Sequence, residues 1–174
     1  MSMPENTGSN GGRGTSESQS DALAFGSGDS RDYVTMSIAD QLFGIPVLKV
    51  QDVLGPQTIT RVPLAPPEVA GSLNLRGRIV TAIDVRLRLG LDKRDGGKVS
   101  MSVVVEHDGE LYSLLVDSVG EVLSLNVKDY QRNPPTLNPR LRDFSDGIYR
   151  LNGSLLMVLS VASLLNFGGR ADAA

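Results

Sequence analysis

Residues 71–90 read GSLNLRGRIVTAIDVRLRLG, the stretch that says most about this chain. Two short strands flank Arg76-Gly77, where the glycine supplies the conformation a tight turn needs. Asp84 follows, placed so that its carboxylate accepts the unsatisfied N–H groups at the start of a short helix, VRLRLGL. A hairpin running into a capped helix is therefore expected. The pattern returns at residues 147–165, GIYRLNGSLLMVLSVASLL, 147 − 71 = 76 positions later. Gly71 then matches Gly147, Leu75 matches Leu151, Gly77 matches Gly153, Val85 matches Val161, and the Asp84 cap matches Ser160.

A second pair extends the repeat. LFGIPVLKVQDVL (42–54) aligns without a gap with LYSLLVDSVGEVL (111–123), at an offset of 111 − 42 = 69. The difference, 76 − 69 = 7, falls in the longer connection YQRNPPTLNPRLRDFSD (130–146). Two offsets reconciled by one insertion point to two related β-subdomains, each of short strands plus a small helix. Many short strands with regular turn signals favour barrels or sandwiches.

The remaining elements follow from pattern. Val34, Met36 and Ile38 alternate with Thr35, Ser37 and Ala39, which predicts a half-buried strand. Pro46 is expected to place its segment at a sheet edge or to break it. Pro63, Pro66 and Pro67 mark an irregular connection, DKRDGGK (92–98) a polar linker, and the 23 residues after Leu123 a long one. Residues 1–30 are rich in Ser, Gly, Asn and Gln and are expected to be disordered, because they cannot bury enough apolar surface to offset their ordering entropy. ALAF (22–25) is their one apolar patch, either a sticky spot or a docking element.

Composition narrows the function. The net charge of −3 resides in residues 1–30, where Glu5, Glu17, Asp21 and Asp29 face only Arg13; the rest balances at 16 basic and 16 acidic residues. Such a balance argues against general nucleic-acid binding. Cysteine is absent and His107 is the single histidine, so no thiolate or His-rich metal site and no cofactor is expected. There is no apolar run of membrane-spanning length and no signal-peptide pattern, which suggests a cytoplasmic protein. No GxSxG and no phosphate-cradling Gly-rich loop followed by Lys occurs. Asp108 and Glu110 read as a solvated hairpin turn with His107 beside it. The expectation is a binding module with no catalytic residues, an enzyme with a dispersed site being the least favoured alternative.

The repeat separates shared positions from private ones. Arg76, Arg78, Arg86 and Arg88 face Asn152, Ser154, Ala162 and Leu164, so the first copy is basic where the second is neutral. From Arg76 to Lys98 there are seven basic and three acidic residues. An oligonucleotide-binding barrel using residues 76–98 is one explanation, although no base-stacking aromatic lies there.

NLRG followed by IVTAIDVRLRLG resembles the Asn-Leu-Arg-Gly and Asp-Leu-Arg signature of CheW-like domains, the coupling proteins of bacterial chemotaxis. FGIPVLKVQDVL and LLVDSVGEVLSL resemble two further segments of that family, in the same order. The resemblance covers about residues 32–167. It implies a mainly all-β fold of two intertwined five-stranded SH3-like or OB-like barrels with short helices. The expected division is a tail at 1–30, a CheW-like domain at 31–168, and a tail at 169–174. Its subdomains at about 31–95 and 96–168 would exchange strands. The function implied is a non-catalytic adaptor joining chemoreceptors to the histidine kinase CheA at membrane-associated receptor clusters.

The partners implied are the receptor cytoplasmic tip, the kinase regulatory domain and other CheW-like domains in arrays. Receptor contact maps to Val50, Asp52, Arg76 and Val122, and Leu48 joins them as a surface candidate because its repeat partner is Asp117. Val50 and Val53 remain open between core and surface. Asp52 stands where the family has Glu, one methylene longer, which questions an ion pair built on the longer side chain. Tyr130 and Gln131 are the kinase-contact candidates. Arg78, Arg86 and Arg88 are left as a basic flank.

Overall fold

The structure, a computed structural model, describes residues 29–92 and 100–167. Most of the two expected tails and most of the polar linker lie outside these residues. The first half forms β1 (Ser30–Ile38), β2 (Gln41–Pro46), β3 (Val50–Leu54), β4 (Val69–Leu75), β5 (Arg78–Asp84) and the helix α1 (Val85–Arg88). The second forms β6 (Met101–His107), β7 (Glu110–Val116), β8 (Ser118–Asn126), β9 (Tyr130–Gln131), α2 (Pro139–Arg142), β10 (Ser145–Leu151), β11 (Ser154–Leu159) and α3 (Val161–Leu165).

These strands make two sheets, ordered β8-β1-β2-β11-β10-β9 and β3-β6-β7-β5-β4. Exchange β1 for β6, β2 for β7, β3 for β8, β4 for β10 and β5 for β11, and the first five strands of one order become the other. The fold is the mainly β class expected, two interleaved five-strand units, one of them extended by β9. Each sheet borrows a hairpin: β1–β2 lies among second-half strands, and β6–β7 among first-half strands. The borrowed hairpins join their hosts through parallel pairs, β2 with β11 and β5 with β7. Two-residue turns close the hairpins at Ala39-Asp40, Arg76-Gly77 and Asp108-Gly109, with both central residues at positive φ in each. Their twist matches that of the strands they connect.

The opening stretch folds as anticipated. Asp84 caps α1 by accepting the Leu87 N–H at 3.3 Å, and Ser160 caps α3 by accepting the Ser163 N–H at 3.2 Å. The main core draws on both sheets and on the helices α1 and α3, with Met36, Ile38, Phe43, Ile83, Leu114, Ile148, Met157 and Leu164 among its buried members.

Two expectations need correction, and a third resolves between its alternatives. β1 is not half-buried: Tyr33, Val34, Thr35 and Met36 are all buried. It is an interior strand, its second face is covered by Tyr149, Leu156 and Val158, and Thr35 Oγ1 donates to the Glu121 carbonyl at 2.6 Å. Pro46 breaks its segment, one of the two outcomes expected: it ends β2, an interior strand rather than an edge, and a 3₁₀ turn follows at Val47–Lys49. The connection after Leu123 is not a plain loop, because β8 runs on to Asn126 and a 3₁₀ turn, β9 and α2 follow.

Gly71 and Gly147 share a cause. Each lies at a β-bulge, where its strand shifts register against the hairpin partner. At Gly71, φ is 149°, and a Cβ would collide with the Thr60 carbonyl oxygen, a backbone atom that cannot swing aside. Gly71→Ala is expected to cost about 2–3 kcal/mol by overpacking, read as a lower urea midpoint with an unchanged m-value.

Candidate functional site

Arg76 occupies the first central position of the β4–β5 turn at φ 55°, followed by Gly77 at φ 86°. Left-handed backbone is unfavourable for a side chain as large as arginine and normally falls to Gly, Asn or Asp. In the second repeat the matching Asn152, better suited to it, is not among the residues at positive φ. The arginine is held there by local bonds. Gly77 N–H donates to Asn74 Oδ1 at 2.9 Å, closing the turn. Arg76 Nη2 donates to Asp52 Oδ2 at 3.0 Å. The other oxygen, Asp52 Oδ1, accepts the Val53 N–H at 2.9 Å, just past the bulge between Val50 and Asp52 that aims the carboxylate.

The shorter carboxylate therefore reaches Arg76 after all; the doubt raised by Asp in place of Glu does not hold. The guanidinium side of the pair is well exposed, at 78 % against 26 % for the Asp52 side chain. Gln51, Asp52, Leu75, Arg76, Arg78, Val104 and Leu111 surround a depression of about 220 Å³. That is below the usual size of a small-molecule pocket. An apolar floor beneath an oriented ion pair instead suits a protruding side chain of a protein partner.

The other candidates are dispersed. Leu48, in the 3₁₀ turn, is 95 % exposed beside a separate groove. Val50 packs half-buried against the core, whereas Val53 is exposed, so the two part company. Val122 is exposed on β8, opposite Val34 and in the other sheet from Asp52. Tyr130 and Gln131 form β9 beside β10. The Tyr130 ring meets Tyr149 edge-on at 5.4 Å, and Gln131 Oε1 accepts from Arg150 Nε at 3.2 Å. Burial, then the Asp146 charge, pushes the Tyr130 hydroxyl pKa up.

Of the basic flank, Arg78 stays exposed beside Arg76, but Arg86 and Arg88 do not belong to it. Arg86 pairs with Asp117 at 2.8 Å, and the same Asp117 oxygen accepts the Ala39 N–H at 2.8 Å, tying α1 to the β1–β2 turn. Arg88 is buried, 5 % exposed. It donates to the carbonyls of Leu164, Ser163 and Asn166 at 2.7, 3.1 and 3.2 Å, at the C-terminal end of α3. Phe144 and Phe167 lie against its guanidinium at 5.0 and 4.5 Å. A signal for this was present: Val85, Arg88 and Leu89 follow the i, i+3, i+4 spacing of one helix face, and Leu164 occupies the equivalent position in the repeat. With Arg86 and Arg88 turned inward, the oligonucleotide-binding alternative loses its basic stripe.

Among the described residues no group of His, Cys, Asp and Glu is arranged to hold a metal ion, and no helix is long and apolar enough to cross a membrane. His107 stands 3.4 Å from Asp108 at the β6–β7 turn, and Glu110 accepts the Tyr112 hydroxyl at 3.1 Å.

The family model of the CheW-like domain matches residues 32–167. The chain belongs to the CheW-like family. It is 29% identical over 133 residues to the chemotaxis protein CheW of Helicobacter pylori, covering 76% of this chain and 80% of that one. With CheW of Rhizobium meliloti it shares 26% over 134 residues, covering 77% and 86%. The scaffolding protein TtCheW from Thermoanaerobacter tengcongensis superimposes with a TM-score of 0.72 at 29% identity, over 78% of this chain and 92% of that one.

Stability should separate the two kinds of arginine. Arg88→Ala, which removes a buried side chain and strands the buried Leu164 carbonyl, is expected to cost about 2–4 kcal/mol. Arg76→Ala should stay within about 0.5 kcal/mol, as for other exposed pairs. Urea unfolding of both variants checks this.

Proposed function

We propose that this chain is a non-catalytic adaptor that couples chemoreceptors to the histidine kinase CheA, and that Asp52 and Arg76 orient the receptor on it. Membership of the CheW-like family supports the adaptor role. The observation that carries the site is Arg76, held in left-handed backbone and fastened to Asp52 with its guanidinium facing solvent. Strain kept at an exposed position is a pointer to function rather than to folding.

The receptor's cytoplasmic tip would present a helical face to the apolar floor beside this pair. Val50 adjoins that contact on the same strand as Asp52, Leu48 and Val122 are proposed as further receptor contacts away from it, and the rim charges set orientation and association rate more than affinity. Tyr130 and Gln131 are proposed for the regulatory domain of the kinase, with neighbouring CheW-like domains as further contacts in an array. The protein would work in the cytoplasm, recruited to membrane-associated receptor clusters.

Arg76→Glu places a carboxylate against Asp52 and reverses the charge offered to the partner. We expect it to weaken binding to a receptor cytoplasmic fragment about tenfold or more, equivalent to at least about 1.4 kcal/mol. Its urea midpoint should barely move. Calorimetry on wild type and variant reads the first, and denaturation the second. An unchanged dissociation constant removes Arg76 from the site; failure of the wild type to bind receptor or kinase fragments removes the adaptor role.

A further inference from the structure

The Leu48 groove poses a separate problem. Leu48 is almost wholly exposed, and the groove beside it has a volume of about 610 Å³. Residues 46–49 form one side and residues 30–32, the start of β1, form the other. The chain N-terminal to Ser30 therefore leaves from the groove's own wall. Asp29 is anchored there, its carbonyl accepting the Val127 N–H at 2.6 Å.

What precedes the wall is suited to fill it. ALAF (22–25) is separated from Ser30 by Gly26, Ser27, Gly28 and Asp29, and five Cα steps span at most about 17 Å. A Gly-Ser-Gly sequence offers little resistance to turning back. Leu23 and Phe25 are the only large apolar residues of the first 30 apart from Met1 and Met3. Asp21 directly precedes them, in a segment of net charge −3, while the groove carries Arg31 and Lys49 against Asp32.

We propose that Leu23 and Phe25 of the chain's own N-terminal segment dock in this groove over Leu48, bringing Asp21 towards Arg31 and Lys49. The contact is intramolecular, so the segment sees the groove at an effective concentration of roughly millimolar. Even a weak interaction is then substantially occupied, yet an external partner can displace it. The inference does not depend on the receptor proposal, since groove and segment belong to one chain.

The absence of native cysteine allows a direct test on the full-length chain. Ala24→Cys is combined with Lys49→Cys, leaving Leu23, Phe25 and Leu48 in place. A control pairs Ala24→Cys with Leu64→Cys, another fully exposed position that does not line the groove. Diamide oxidation is followed by non-reducing electrophoresis across a range of protein concentrations. We expect an intramolecular disulfide at the groove at least about five times faster than in the control. Its rate should be independent of concentration and fall to the control rate when Phe25→Ser is added. Equal rates for the two pairs, or no effect of Phe25→Ser, would overturn the proposal. So would a disulfide-linked dimer whose yield grows with concentration, which assigns the groove to a second copy instead.

Discussion

The rest of the structure depends on the parallel pairing of β2 with β11 and of β5 with β7. These ladders join a hairpin from one half of the chain to strands from the other. Neither half has a complete sheet of its own in this arrangement, because β1–β2 and β6–β7 are exchanged. The main core follows from the exchange. It is built where the two units interlock, from Phe43 and Ile45 on one borrowed hairpin, Val103 and Leu114 on the other, and the short helices α1 and α3. Breaking one ladder would expose apolar surface on both halves at once.

Polar groups reinforce the same junction. Arg88 leaves α1 in the first half and satisfies carbonyls at the C-terminal end of α3 in the second, and Arg86 reaches Asp117 between β7 and β8. Asp117 in turn holds the β1–β2 turn. The two sequence repeats thus differ at 86 and 88 for a structural reason. A pseudo-symmetric pair of helices meeting each other offers one place for a cross-connecting guanidinium, and one copy supplies it. Divergence between repeats does not by itself mark a binding residue; at 76 it leaves an exposed charge, and at 88 a buried one.

The Asp52–Arg76 pair owes its geometry to this frame. Asp52 lies on β3 and Arg76 on the β4–β5 turn, at opposite edges of the same five-stranded sheet order. Only a sheet closing back on itself brings them within 3.0 Å. The pair adds little to stability, since exposed ion pairs are screened and entropically costly. Its structural effect is to fix the direction of two charges beside the apolar side chains Leu75, Val104 and Leu111.

Sequence alone determined the hairpin at 71–84, the caps at Asp84 and Ser160, the two-fold repeat and the family, because turns, caps and strand periods are local and leave local marks. It also singled out Arg76, through a four-residue motif at a turn. Tertiary structure decided what local pattern does not encode. Thr35 looks like the solvent side of a strand until β8 covers it. Val50 and Val53 look alike until one faces the core and the other does not. Leu48, Val50 and Val122 read as one receptor surface and lie on different elements, while Arg86 and Arg88 read as a basic flank and are held in ion-pair and carbonyl contacts. In each case the deciding contact comes from residues tens of positions away, so burial and proximity follow from how the two halves interlock, which no single stretch of chain contains.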